Sequence, residues 1–333
     1  MIALPTPRGP LSEAVLERVH TAPARPVPVP PADVADPLAD DDLQLALYLC
    51  YELSYRGLPG VDDDWEWEPS LVAMRREMER AFEAGLRQAV APAAAPPADE
   101  MDLALRALVD ADDAPSLSRH LEREGTLEQM RELMIHRSAY QLKEADPHSF
   151  AIPRLRGPAK AALVEIQFDE YGGGRPDRVH AELFRAAMSA VGLDARYGAY
   201  VEELPGVTLA TVNLMSMCGL RRSLRGAIVG HLACFEMTSS IPNRRYGNAL
   251  RRLGFGADAT HFFDEHVEAD AVHENLAAVD LAGGLAREEP RLAADVLWGA
   301  AALLRLEGRW ARHLLGRWAA GESSLLARAT ASP

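Results

Sequence analysis

Residues 257–280 read ADATHFFDEHVEADAVHENLAAVD, and the spacing predicts a helix over Ala257–Asp280. On a helix each residue turns about 100°, so Asp270, four residues after His266, and His273, three after Asp270, fall within roughly 60° of arc on one stripe. Two imidazoles and a carboxylate on one face suit a first-row transition metal. The competing reading is a polar stripe on an exposed helix, because Glu265, Glu268 and Glu274 are interspersed.

The same helical signature extends outward through the chain. Ala, Leu, Arg and Glu dominate, all strong helix formers, and β-branched residues are sparse. Apolar periodicity predicts helices over Asp41–Tyr55, Pro69–Val90, Met101–Ala111, Ser116–Glu124, Thr126–Ala145, Gly157–Tyr171 and Arg178–Val191. Further helices are expected over Leu209–Cys218, Arg222–Thr238, Tyr246–Leu253 and Glu289–Ala319. Residues 21–40 are Pro-rich and expected to be extended. The Pro/Ala stretch Ala91–Asp99 marks a boundary between an N-terminal helical region (1–98), with a disordered or extended start, and a helical bundle (99–333). The fold class expected is all-α.

Bulk properties exclude several roles. With 49 acidic against 35 basic residues and a net charge of −14, the chain lacks the basic surface that nucleic-acid binding needs. No run of about 18 apolar residues is present, so no membrane span is expected. Cys50, Cys218 and Cys234 are scattered in apolar segments, which suits buried free thiols in a cytoplasmic protein rather than a disulfide framework.

Three further signals stand out. Glu236 sits in the apolar stretch Ile228–Met237, where a carboxylate must be paired, protonated or metal-bound; Arg244 or Arg245 is the alternative partner. Glu170 and His180 flank the break GGGRP, which reads either as an ordinary turn or as a device bringing two ligands onto one centre. Glu144 lies at the expected end of a helix, where an acidic side chain opposes the macrodipole. His231 is five residues from Glu236, off its face, and reads as structural. Glu132 and His136 read as a surface pair. Arg244, Arg245, Arg251 and Arg252 read as salt-bridged faces, and Trp298, Trp310 and Trp318 as packing anchors.

Taken in order, Glu144 in QLKEADPHSFAIPRL, Glu170 in LVEIQFDEYGGG, His180 in RVHAELF, Glu236 in HLACFEMTSS, then His266, Asp270 and His273, resemble the heme-oxygenase-like diiron oxidases and oxygenases. The likeness covers roughly Met101 to Leu306 and leans toward the N-oxygenases of streptozotocin and azomycin biosynthesis. Members that fragment fatty acids or lysine lack a carboxylate equivalent to Glu170. The resemblance implies a heme-oxygenase-like bundle with an N-terminal helical extension and these seven residues as ligands of two iron ions. Glu170 would be the carboxylate that moves during catalysis, helped by Gly172–Gly174. It further implies O₂ as co-substrate, an amine, guanidine or amino-heterocycle as substrate, an external electron donor, no heme, and a homodimer formed through the N-terminal helices. The streptozotocin enzyme continues into a cupin domain where this chain stops, so the chemistry of that domain is not expected. A carbon-directed lyase or desaturase and a metal-free helical binding protein are the alternatives. A ferritin-like site would need two Glu-x-x-His motifs, and only Glu17–His20 has that form.

Overall fold

A computed structural model describes residues 4–21, 34–91 and 94–327, without the side chains of residues 269–272. No strand occurs among the described residues, and the chain is all-α. None of its described helices is long and apolar enough to cross a membrane.

The helices begin where local chemistry starts them. α1 (Pro10–Val19) opens on a proline, and Asp42 accepts from the backbone N–H groups of Leu11 and Ser12 at 2.8 Å each. Its Leu11, Val15, Leu16 and Val19 are buried, so this part of the expected extended start is instead a packed helix. α2 (Asp41–Glu52) is capped by Asp40, and α3 (Pro69–Ala89) has proline in its first turn and the Glu68 side chain as cap. α4 (Met101–Asp110) and α5 (Leu117–Arg123) follow, and Thr126 with Gln129 forms a capping box for α6 (Leu127–Gln141). Of residues 21–40, positions 22–33 lie outside the described residues; Asp36–Ala39 forms a turn.

α7 (Asp146–Ser149), α8 (Gly157–Glu170), α9 (His180–Ala190) and α10 (Gly206–Leu220) follow. α10 is buried almost all round, the mark of a central helix. α11 (Arg225–Arg252) corrects the expected pair of helices: it runs unbroken through Pro242. α12 (Ala257–Asn275) continues as a π-helical stretch over Leu276–Ala282 into α13 (Gly283–Glu288), and α14 (Ala293–Ala319) closes the bundle.

α11 packs most extensively on α12 and α14. The crossing with α14 is a backbone contact. A Cβ at Gly230 would lie 1.8 Å from the Val296 carbonyl oxygen, and one at Gly299 would lie 2.0 Å from that of Ala227. Only hydrogen fits at either position, which fixes α11 and therefore Glu236 at its depth.

The N-terminal helices bear directly on the later residues. α2 lies along α10, and its Glu52 forms a fully buried ion pair with Lys143, Oε2 to Nζ 2.9 Å. Tyr197 donates to the other oxygen of Glu52. An ion pair at this depth is costly to break on one side, so it anchors the residue immediately before Glu144.

Candidate metal centre

Glu144 was expected to end a helix. It sits instead in the turn between α6 and α7, and the backbone supplies the reason. Ala145 has φ +73°, the only positive-φ residue other than glycine among those described. This conformation costs an L-residue roughly 1–2 kcal/mol, and neighbours hold it in place. Gln167 donates to the Ala145 carbonyl at 2.8 Å and to Ser149 Oγ at 2.7 Å. The turn redirects Glu144 inward, where it is buried.

Glu170 ends α8, and His180 begins α9. Between them Gly172 has φ +70°, and a Cβ there would lie 2.6 Å from the Arg178 carbonyl carbon. The glycine break therefore folds the chain tightly back, bringing His180 Nδ1 to 3.0 Å from Glu170 Oε2. Glu236 projects from the middle of α11, and His266 and His273 from α12.

These six side chains converge, and none is more than 7% exposed. Glu144, Glu170, His180 and His266 form one group, and Glu170, Glu236 and His273 another; within each, one potential ligand atom per residue lies within 4.8 Å of all the others. Glu170 belongs to both. Asp270 lies on α12 between the two histidines, but its side chain is outside the described residues.

The histidines are oriented from behind. His266 Nδ1 lies 2.8 Å from the Phe262 carbonyl oxygen, so it donates there and leaves the Nε2 lone pair toward Glu144, 3.5 Å away. His273 Nε2 lies 3.0 Å from Asp169 Oδ2, which leaves Nδ1 toward Glu236, 3.4 Å away. A carboxylate or carbonyl fixing the far nitrogen of an imidazole is the arrangement that prepares histidine as a metal ligand.

Charge explains why the arrangement fits metal ions. Carboxylate oxygens no more than 4.8 Å apart repel by at least roughly 3 kcal/mol at an effective dielectric near 20. Burial alone would raise the Glu170 pKa, but His180 foremost, then His266 and His273, outweigh it and hold the carboxyl down at about 2. Burial would lower the His180 pKa, but the Glu170 carboxylate raises it above the ordinary value. Burial likewise opposes a charge on His273, yet Glu236 and then Asp169 push it up to about 9. In the metal-free protein, protons on histidine thus stand where cations would. Glu144 Oε2, His180 Nδ1 and His273 Nδ1 are buried with no hydrogen bond of acceptable geometry. Oxygen and imidazole donors that hydrogen bonds leave unused suit divalent iron.

Several surrounding residues were not visible in the sequence. Asp169, next to Glu170, carries no signal of its own, because only the fold directs it to His273. His148, one turn beyond Glu144, pairs with His231, Nε2 to Nδ1 3.2 Å. Burial pushes His148 down to about 4 and His231 well below its ordinary value. The expected Glu132–His136 surface pair is absent. His136 is buried against Thr208 and Ser324, and Glu132 accepts from Trp318 and Ser324. The arginine cluster serves the scaffold: Arg251 pairs with Asp264, and Arg252 donates to the Leu121 and Glu122 carbonyls.

A cavity of about 290 Å³ reaches His266. Phe184, Phe235, Phe262 and Phe263 form its apolar wall. Gln141, Asp112 and the Arg137–Glu307 pair, joined at 2.8 and 2.6 Å, supply polar groups.

No curated protein matches the chain. The profile of the family described as iron-containing redox enzyme matches residues 131–308, more than half of the 333. That span contains all six converging residues and Asp270. On that match, the chain belongs to the iron-containing redox enzymes.

Proposed function

We propose that the protein is a non-heme diiron oxygenase that oxidises the nitrogen of a small amine, guanidine or amino-heterocycle. The observation that carries this reading is Glu170, a single carboxylate common to two groups of ligand atoms. Glu144, His180 and His266 would hold one iron, and Glu236 and His273, with Asp270, the other; Glu170 would serve both. Ferrous ions held there would supply electrons for reducing O₂, with an external donor completing the balance.

The chain's own groups set the conditions. Phe262 and Asp169 keep the two α12 imidazoles in the ligating tautomer. The four phenylalanines give the cavity an apolar wall beside His266. Gln141 Oε1 is buried without a hydrogen-bond partner, and Glu307 and Asp112 add acceptors. Pro242, also in the wall, has no N–H to give the Thr238 carbonyl four residues back. Beside the donors of Arg137, the unpartnered Gln141 oxygen and the Asp112 carboxylate offer acceptors to the N–H groups of a ligand, which supports nitrogen as the target.

The test loads the protein with ferrous iron without air, then adds O₂, ascorbate and a panel of amines, guanidines and aminoimidazoles. A product 16 mass units heavier, with the oxygen on nitrogen, supports the proposal. An alkene or shortened carbon chain would establish the lyase or desaturase alternative. Binding of fewer than about one iron per chain would support a metal-free binding protein.

A further inference from the structure

His148 and His231 are each about 1% exposed, and the proposed centre uses neither as a ligand. His148 Nδ1 and His231 Nε2, the outer nitrogens of the pair, are buried without partners. An unsatisfied buried polar atom costs about 1–3 kcal/mol, and an apolar residue would fill either position without that cost. The pair lies between two small cavities of about 10 Å³ each, room for one water apiece. One is lined by His148 together with Glu144, Glu170 and Gln167 of the centre. The other is lined by His231 together with Thr211, Arg137 and Glu307. Arg137 and Glu307 also line the large cavity that reaches His266.

We infer that His148 and His231 form a proton relay from the Glu307 end of the large cavity to the carboxylates of the metal centre, one water at each end completing the path. Two neutral imidazoles joined by one N–H can pass a proton by exchanging tautomers. An N–H bond forms at His231 Nε2 as the His231 Nδ1–H bond breaks. The proton so released binds His148 Nε2, and the one on His148 Nδ1 leaves toward Glu144 and Glu170. One proton enters, one leaves, and neither ring keeps a charge. Burial, which disfavours charge on both rings, maintains this neutral starting state. Rotation of the two rings resets the pair.

The relay rests on the oxygenase reading for its purpose. Each O₂ consumed takes two electrons from the external donor and two protons; one oxygen atom enters the substrate and the other leaves as water. Protons crossing the relay leave the cavity at its Glu307 end and need not cross the phenylalanine wall beside His266.

Two measurements test it. In metal-free protein labelled with ¹⁵N-histidine, nuclear magnetic resonance at pH 7 should show both imidazoles neutral and coupled through one shared N–H. A charged ring, or no coupling, overturns the relay whatever the activity. In ferrous-loaded protein with ascorbate, His231→Phe and His148→Gln should bind as much iron as wild type but consume O₂ roughly a hundredfold more slowly. The solvent isotope effect should rise, and added imidazole should restore part of the rate. O₂ uptake at the wild-type rate in both variants overturns the relay. Should the variants fail to fold, the resonance measurement on the wild-type chain decides. A wild-type protein that binds iron yet consumes no O₂ refutes the oxygenase reading instead.

Discussion

Replacing Glu170 by glutamine keeps the side-chain volume and removes one charge from both groups of potential ligands at once. In the metal-free protein the carboxyl is held at about 2, against an ordinary 4.5, chiefly by His180. A depressed carboxyl pKa contributes stability above pH 4.5, lost as pH falls toward 2. At pH 7 the contribution is about 3 kcal/mol. With an unfolding entropy of roughly 2.1 cal/mol/K per residue over 333 residues, the metal-free variant should melt about 4 °C below wild type. The metal-binding effect should be larger. Loss of a group that merely supports a ligand costs about 10–100-fold in affinity, so loss of a shared ligand should weaken both iron positions by at least about 100-fold. Anaerobic ferrous titration with elemental analysis should give two irons for wild type, about one for Glu144→Gln and Glu236→Gln, and fewer than one for Glu170→Gln. Two irons retained by Glu170→Gln, or both lost by Glu236→Gln, would refute the shared-carboxylate argument.

Other parts of the structure give sharp expectations. Asp169→Ala should weaken the iron position at His273 by about 10–100-fold while leaving the other intact, measured by the same titration. His148, held at about 4 against 6.5, contributes stability that is full above pH 6.5 and lost as pH falls toward 4, about 3 kcal/mol in all. Urea midpoints between pH 7 and 4.5 should therefore fall more steeply for wild type than for His148→Gln. Gly230→Ala or Gly299→Ala places a methyl about 2 Å from a facing carbonyl oxygen, so each should cost several kcal/mol and lower the thermal midpoint together with iron binding.

Much of this candidate cluster was legible because its residues leave local contradictions. Glu236 is a charge in an apolar helix, Gly172–Gly174 interrupt a helical pattern, and the stripe from His266 to His273 repeats at helical spacing. Each conflict resolves when the fold brings these side chains together. What stayed hidden has no such local cost. Asp169 is half exposed and ordinary in sequence, and its role depends on where α12 lies. The continuity of α11 through Pro242 was hidden for the opposite reason: the local rule forbids it, and packing on α12 and α14 overrides one lost hydrogen bond. α1 was missed because its apolar face is short and its start lies in a Pro-rich region, while its stability comes from contact with α2. The turn at Ala145 could not be read because nothing about alanine announces a positive φ.

The central claim is that two irons lie on either side of Glu170. Diffraction from crystals loaded anaerobically with ferrous iron, recorded at the iron absorption edge, locates them directly. The account predicts two anomalous peaks, one among Glu144, Glu170, His180 and His266, the other among Glu170, Glu236 and His273. A single peak, or iron bound away from Glu170, would contradict it.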